Sequence, residues 1–259
     1  MLFHQIIVLA IGLPCFVRSY EITLLVGGGD NVKIKDYPFI VICYKKGYFT
    51  CGGSILNEYW VLTAGHCTCH KIQWGVTNRD PNGPNMIDVS QSVRHPDYES
   101  HERVDIKLLR LAEPIVFGTT AQAIKLPKFK WEVKGDSYKT PSAVLGWGRD
   151  ETGAKSKSLK IGNFFVINNT DCKRMYGNSS KIYDFNCCNG CLNCGVSACK
   201  GDSGGPIITW INGKRVQYGI VSRGKRCGDP KFPSIGIKTS HFVDWISQIT
   251  GIPLEQLTV

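Results

Sequence analysis

The chain has 259 residues and a formal net charge of +10, with 12 cysteines. Its length allows one large domain or two small ones. The positive charge raises an acidic surface or a nucleic acid as partner. No RNP-like, zinc-finger or helix-turn-helix pattern is present, so nucleic acid is set aside in favour of a basic secreted protein.

Residues 1–19 read as a signal peptide. The apolar run Gln5 to Leu13 is too short to span a bilayer, although the segment before it lacks Lys or Arg. No other apolar run suits a membrane helix, so no membrane partner is expected. Secretion permits disulfides. Two sequons, at Asn168 and Asn178, would be open to glycosylation in that setting.

Residues 20–24 read as a short activation peptide and residues 25–259 as the working domain. From Phe39 onward, short β-branched and aromatic segments alternate with turn residues: Phe39–Cys43, Ser54–Leu56, Tyr59–Thr63 and Ile106–Leu111. The spacing predicts an all-β barrel or sandwich. The stretch Thr119–Asp136 reads as a connector. A second set follows at Ala143–Gly148, Phe164–Ile167, Pro206–Trp210, Gln217–Ser222 and Ser234–Ile237. The boundaries are about 25–120 and 135–240 for the two halves. Apolar residues at helical spacing in His241–Ile249 predict a terminal amphipathic helix at about 241–250.

The stretch Cys199-Lys200-Gly201-Asp202-Ser203-Gly204-Gly205-Pro206 carries the chemistry. Glycines let the backbone turn sharply and aim N–H groups at one point. That makes Ser203 a candidate nucleophile, with the N–H groups of Gly201 and Ser203 as an oxyanion hole. A Gly-rich surface turn is the bland alternative. Two further segments tilt the balance. Thr63-Ala64-Gly65-His66-Cys67 ends an apolar strand with a base, and Val104-Asp105-Ile106 heads another with an acid that needs a partner in a core. Acyl transfer uses a base to take the serine proton and a carboxylate to orient the base.

With Leu25-Val26-Gly27-Gly28 and Gly146-Trp147-Gly148, these segments resemble the chymotrypsin-like (trypsin-fold) serine proteases, from Leu25 to about Ile249. Cys51–Trp60 looks especially like the trypsin-like group 3 allergens of mites. The resemblance implies two six-stranded antiparallel β-barrels with the site between them and a C-terminal helix. It implies catalytic His66, Asp105 and Ser203, peptide or protein substrates, an activating protease and protease inhibitors as partners, and no cofactor. It also implies activation by cutting before Leu25, whose amine would pair with Asp202, and bridges Cys51–Cys67, Cys172–Cys188 and Cys199–Cys227.

Departures from the family pattern shape the rest of the expectation. Leu24 precedes the cut, where a trypsin-like activator needs Arg or Lys. The pocket base falls on Ser197, a neutral residue, with walls at Ser222, Arg223, Gly224 and Ser234. Ser234 is expected to narrow the pocket, and Gly236 stands in place of a Tyr. Lys200, Arg223, Lys225 and Arg226 form a basic rim, read either as a solvated edge or as a device that selects acidic substrates or an acidic partner. Cys43–Cys69 is a plausible extra bridge. Without Cys15 the cysteine number is odd, so at least one thiol among Cys43, Cys69, Cys187, Cys191 and Cys194 is left unpaired or pairs between molecules. The loop from Val76 to Asp88 offers only Asp80 and Asp88, so no metal site is expected. The expected activity is non-tryptic endopeptidase cleavage. The rival is a protease-fold protein that has lost activity and binds other proteins.

Overall fold

A computed structural model describes residues 29–100, 104–133, 135–149, 153–191, 198–225, 227 and 231–259. The signal and activation segments, Leu25, Cys194, Ser197 and Arg226 lie outside the described residues.

The chain opens with a two-residue strand, β1 (Asp30–Asn31), that pairs with a strand far along the chain. Next come β2 (Ile40–Lys45), β3 (Tyr48–Ile55), β4 (Trp60–Thr63), β5 (Lys71–Trp74), β6 (Met86–Arg94) and β7 (Lys107–Leu111). These close into a six-stranded barrel in the order β2-β3-β4-β7-β6-β5. Closure removes exposed strand edges.

The second set is β8 (Pro141–Gly146), β9 (Lys160–Ile167), β10 (Asn186–Gly190), β11 (Pro206–Ile211), β12 (Lys214–Arg223) and β13 (Ser234–Lys238). Their order is β9-β10-β13-β12-β11-β8, and a β8–β9 pairing closes the ring, with β1 attached outside on β9. The all-β, two-barrel reading of the sequence is therefore correct. Both sets contain fully buried runs, such as Trp60–Thr63 and Ser234–Lys238.

Between β9 and β10 lies helix α1 (Asn169–Tyr176), capped by the Asn168 side chain, which accepts from the Asp171 N–H at 2.8 Å. At the end lie α2 (Val243–Thr250) and α3 (Leu254–Leu257). Apolar residues of α2, Val243 and Ile246, bury against first-barrel residues such as Leu108 and Trp60. The C-terminal segment therefore crosses from the second barrel back to the first. It is locked there by the connector: Leu126 donates to the Leu257 carbonyl at 2.9 Å, and Val259 donates to the Leu126 carbonyl at 3.0 Å.

The barrels share a core. Ile40, Ile42, Tyr44 and Phe49 of the first pack with Leu145, Trp147, Ile161 and Ile208 of the second half. Burying such large side chains stabilises the interface by about 1.5–3 kcal/mol each. The loops that carry the candidate site emerge beside this shared core.

Candidate active site

His66 sits just past the end of β4, and Asp105 two residues before β7. Because β4 and β7 are paired, with Thr63 opposite Lys107, the two residues meet. Asp105 holds His66 at two points. Its Oδ1 accepts the His66 backbone N–H at 2.8 Å, and its Oδ2 lies 2.7 Å from the ring Nδ1. The Ser222 hydroxyl donates to the same Oδ2 at 2.6 Å. Asp105 is 4% exposed. Burial alone would raise its pKa, but the His66 hydrogen bond, the facing imidazole and the Ser222 hydroxyl outweigh it and hold the carboxyl below its ordinary value. An ionised Asp105 fixes the Nδ1–H tautomer and leaves Nε2 as the acceptor.

The backbone around His66 is pinned from several sides. Cys51–Cys67 and Cys43–Cys69 bridge its flanks to β3 and β2. Arg94 donates from Nε to the Gly65 carbonyl at 3.0 Å, and the buried Lys107 ammonium donates to the Cys67 carbonyl. Burial first, and then the Arg94 charge, bring the Lys107 pKa down to about 8; Asp105 opposes this.

Ser203 lies in a tight turn ahead of β11. Asp202 N–H donates to the Cys199 carbonyl at 3.0 Å, Gly205 N–H to the Asp202 carbonyl at 2.9 Å, and the Ser203 carbonyl accepts the Gly52 N–H at 2.9 Å. This last bond ties the turn to β3 of the first barrel. Gly204 has φ of +77°, and a Cβ there would lie 2.2 Å from Thr63 Oγ1 and 3.0 Å from Cys67 Sγ. No other residue fits. The Cys67 sulfur in turn lies 3.9 Å from His66 Nε2. The two loops therefore share one site.

Among the described residues, the N–H groups of Gly201 and Ser203 donate to no protein atom, and no hydrogen bond joins Ser203 to His66. Catalytic hydrogen bonds of this kind are often long before substrate arrives.

The Asp202 carboxylate points inward, away from Ser203. Its Oδ1 accepts the Gly148 N–H at 2.9 Å and its Oδ2 the Cys199 N–H at 3.0 Å. The fit is close: a Cβ on Gly146 or Gly148 would lie 2.2 or 2.5 Å from carboxylate atoms. Asp202 is 1% exposed, and burial raises its pKa to about 6 against those two N–H groups.

A cavity of about 230 Å³ opens beside Ser203, lined by residues that include Ala198, Lys200, Ser222, Arg223, Gly224 and Lys225. Two expectations about it need correction. Ser234 does not line it: the side chain is buried, and its Oγ accepts the Ala198 N–H at 2.8 Å, so it shapes the cavity only from behind Ala198. Arg223 lines the cavity, and its guanidinium is engaged by the Lys181 carbonyl at 3.0 Å and Asn186 Oδ1 at 3.4 Å. Ser222 is a wall residue whose hydroxyl serves Asp105. Gly224 lies open, with nothing near a built Cβ.

Cys172–Cys188 and Cys199–Cys227 also form, the latter joining the segment before Ser203 to the cavity wall. Cys191 is disulfide-bonded to a partner outside the described residues. Among the described residues Cys187 carries a free thiol, which is buried, with its pKa pushed up to about 12 by that burial. Gly236 is explained by this thiol: a Cβ there would lie 2.8 Å from Cys187 Sγ and 2.5 Å from Ile207 Cδ1. Among the described residues the one close group with metal-ligand atoms is Cys51, His66 and Cys67, and its two sulfurs are spent in a disulfide. Asp80 caps its own turn by accepting the Asn82 N–H, and Asp88 pairs with Lys71.

Two closed barrels with an Asp-held histidine and a glycine-bound serine turn between them define a serine peptidase fold. Residues 26–246 match the trypsin family, and the chain belongs to it. It is 32% identical over 235 residues to a trypsin of Phaedon cochleariae, covering 87% of this chain and 88% of that one. It is 30% identical over 243 residues to the venom peptide isomerase heavy chain of Agelenopsis aperta, covering 85% of this chain and 98% of that one. It is 31% identical to CLIP domain-containing serine protease B4 of Anopheles gambiae, covering 87% and 70%.

Proposed function

We propose that the chain is a secreted serine endopeptidase of non-tryptic specificity. Ser203 attacks the peptide carbonyl, His66 Nε2 takes its proton and returns it to the leaving amine, and Asp105 holds the His66 ring and stabilises the imidazolium. The Gly201 and Ser203 N–H groups, which have no protein acceptor among the described residues, receive the oxyanion. The observation that carries this reading is the two-point hold of Asp105 on His66, at 2.7 and 2.8 Å, with Nε2 lying 3.9 Å from the Cys67 sulfur that also borders Gly204.

In this reading residues 1–19 direct secretion and residues 20–24 are removed. The freed Leu25 amine then pairs with Asp202 and supplies the cation that its buried carboxylate lacks. Leu24 requires an activator that cuts after an apolar residue. Protein substrates, that activator and protease inhibitors are the partners. The narrower likeness of Cys51–Trp60 to mite allergens belongs to this proposal as well.

One observation favours a second reading, a protease-fold protein that binds without cutting: Ser203 makes no hydrogen bond to His66. A fluorophosphonate probe on the processed protein separates the two. Labelling of wild type and not of Ser203→Ala establishes an activated serine. Processed wild type that never labels leaves the binding reading in its place.

A further inference from the structure

We infer that the cleft around Ser203 selects acidic peptide segments, through cations placed on both flanks of the Ser203 turn; this rests on the peptidase reading above and deepens it.

The first flank is the cavity beside Ser203. Its described lining contains Lys200, Arg223 and Lys225 and no acid. The Arg223 guanidinium is engaged by the Lys181 carbonyl and Asn186 Oδ1, so the exposed Lys200 and Lys225 carry the charge that a bound side chain meets. The Lys225 ammonium sits 3.9 Å from the centre of the Phe232 ring, which fixes its position without neutralising it.

The second flank lies across Gly201. A Cβ built on Gly201 would lie 3.1 Å from the Phe49 ring, so Phe49 borders the proposed oxyanion hole directly. Two cations are gathered on that ring: Lys155 Nζ at 5.0 Å and the Arg79 guanidinium at 5.2 Å from its centre. Lys155 also donates to the Phe49 carbonyl at 2.8 Å, and Arg79 Nε to the Ser156 carbonyl at 2.7 Å. Arg149, whose N–H donates to the Lys200 carbonyl at 2.9 Å, links the two flanks. Burial, together with the Arg79 and Arg149 charges, lowers the Lys155 pKa.

Among the described residues, none of Arg79, Arg149, Lys155, Lys200 and Lys225 forms an ion pair with a carboxylate. Asp105 and Asp202 are close in the chain's architecture, but both are buried and hydrogen-bonded. Asp150, Glu151 and Asp229 lie outside the described residues. Like charges held together at one cleft repel each other, and an incoming anion relieves that repulsion. An extended acidic peptide fits better than a polyanionic polysaccharide because the cations flank the one serine built for acyl transfer.

The test uses the secreted full-length protein carrying Ser203→Ala. Fluorescence polarisation measures binding of a short labelled peptide with glutamates on both sides of a central apolar residue, against its glutamine counterpart. The glutamate peptide should bind about tenfold more tightly at low salt, and raising the salt should erase the difference. Lys200→Gln with Lys225→Gln should remove part of the preference, and Lys155→Gln a further part. Equal binding of the two peptides overturns the proposal, as does a preference that survives all three lysine changes. A heparin fragment that binds through the same lysines more tightly than the glutamate peptide also overturns it. Fluorophosphonate labelling of the processed wild-type protein is read in parallel. Labelling without a glutamate preference sinks this inference alone. A glutamate preference without labelling sinks the peptidase reading and leaves the acidic-peptide site standing.

Discussion

The Ser222 hydroxyl donates at 2.6 Å to Asp105 Oδ2, the oxygen that also faces Nδ1 of His66. Ser222 thus joins the cavity wall to the buried acid, and one side chain couples substrate position to the orientation of the base. Ser222→Ala removes a hydrogen bond to a charged group while leaving the wall in place. With Ser203 as nucleophile, kcat should fall by about tenfold with a smaller change in KM. Steady-state kinetics on an apolar peptide ester checks this. An unchanged kcat would show that His66 is positioned without Ser222.

Asp202 holds its pKa at about 6 against an ordinary 3.8, because it is buried and, among the described residues, meets two N–H donors and no cation. Between those values the folded precursor keeps a proton that the unfolded chain has shed, so stability falls as pH rises through the window. Pairing with the Leu25 amine would favour the charged form and remove that fall. Leu24→Arg should let trypsin cut the precursor. After the cut, urea unfolding from pH 4 to 6 should lose its downward trend, and the probe should label Ser203. A clean cut before Leu25 with the trend unchanged would rule out this pair.

Lys107 has the opposite sign. Its pKa is about 8 in the fold and 10.5 when free, so the unfolded chain binds more protons between those values. Stability should rise with pH across that window, by on the order of 2–3 kcal/mol. Lys107→Met should flatten this rise while leaving the rest of the pH profile alone. Denaturant unfolding at pH 7.5 and pH 10 measures the difference.

Cys187 should not react with a thiol reagent in the native protein. Its sulfur is packed where a Cβ on Gly219 or Gly236 would approach to 2.6 or 2.8 Å. Reaction should require unfolding and follow its rate. Gly236→Ala should destabilise the fold by about 1–3 kcal/mol through overpacking and speed that reaction. Rapid modification of the wild type at neutral pH would contradict the packing described.

Much of the fold could be read directly from the chain. Short β-branched segments such as Trp60–Thr63 and Gln217–Ser222 keep their strand character because both faces are buried in a closed ring. The residues His66, Asp105 and Ser203 stand in segments with strong local signatures. What could not be read is what side chains do across long separations. The Ser222 hydroxyl finds Asp105 across 117 residues, and Arg79 reaches Lys155 and Ser156 across 76 and 77. Arg223 looked like part of a charged rim because its position on the wall was legible, whereas its rotamer was not. Ser234 looked like a wall because a small change in depth, with its hydroxyl behind Ala198, leaves no trace in sequence. The free thiol was countable as an odd cysteine, but which one stayed free depended on packing against two glycines.

The segment that carries His66 is moored by two crosslinks, Cys43–Cys69 and Cys51–Cys67, both anchored in the first barrel. The turn that carries Ser203 hangs on its own crosslink, Cys199–Cys227, in the second. A reducing environment would therefore slacken both halves of the chemistry at their loops while the strand ladders still stood. Such a molecule would lose the alignment of His66 and Ser203 to a thiol reductant well before it came apart.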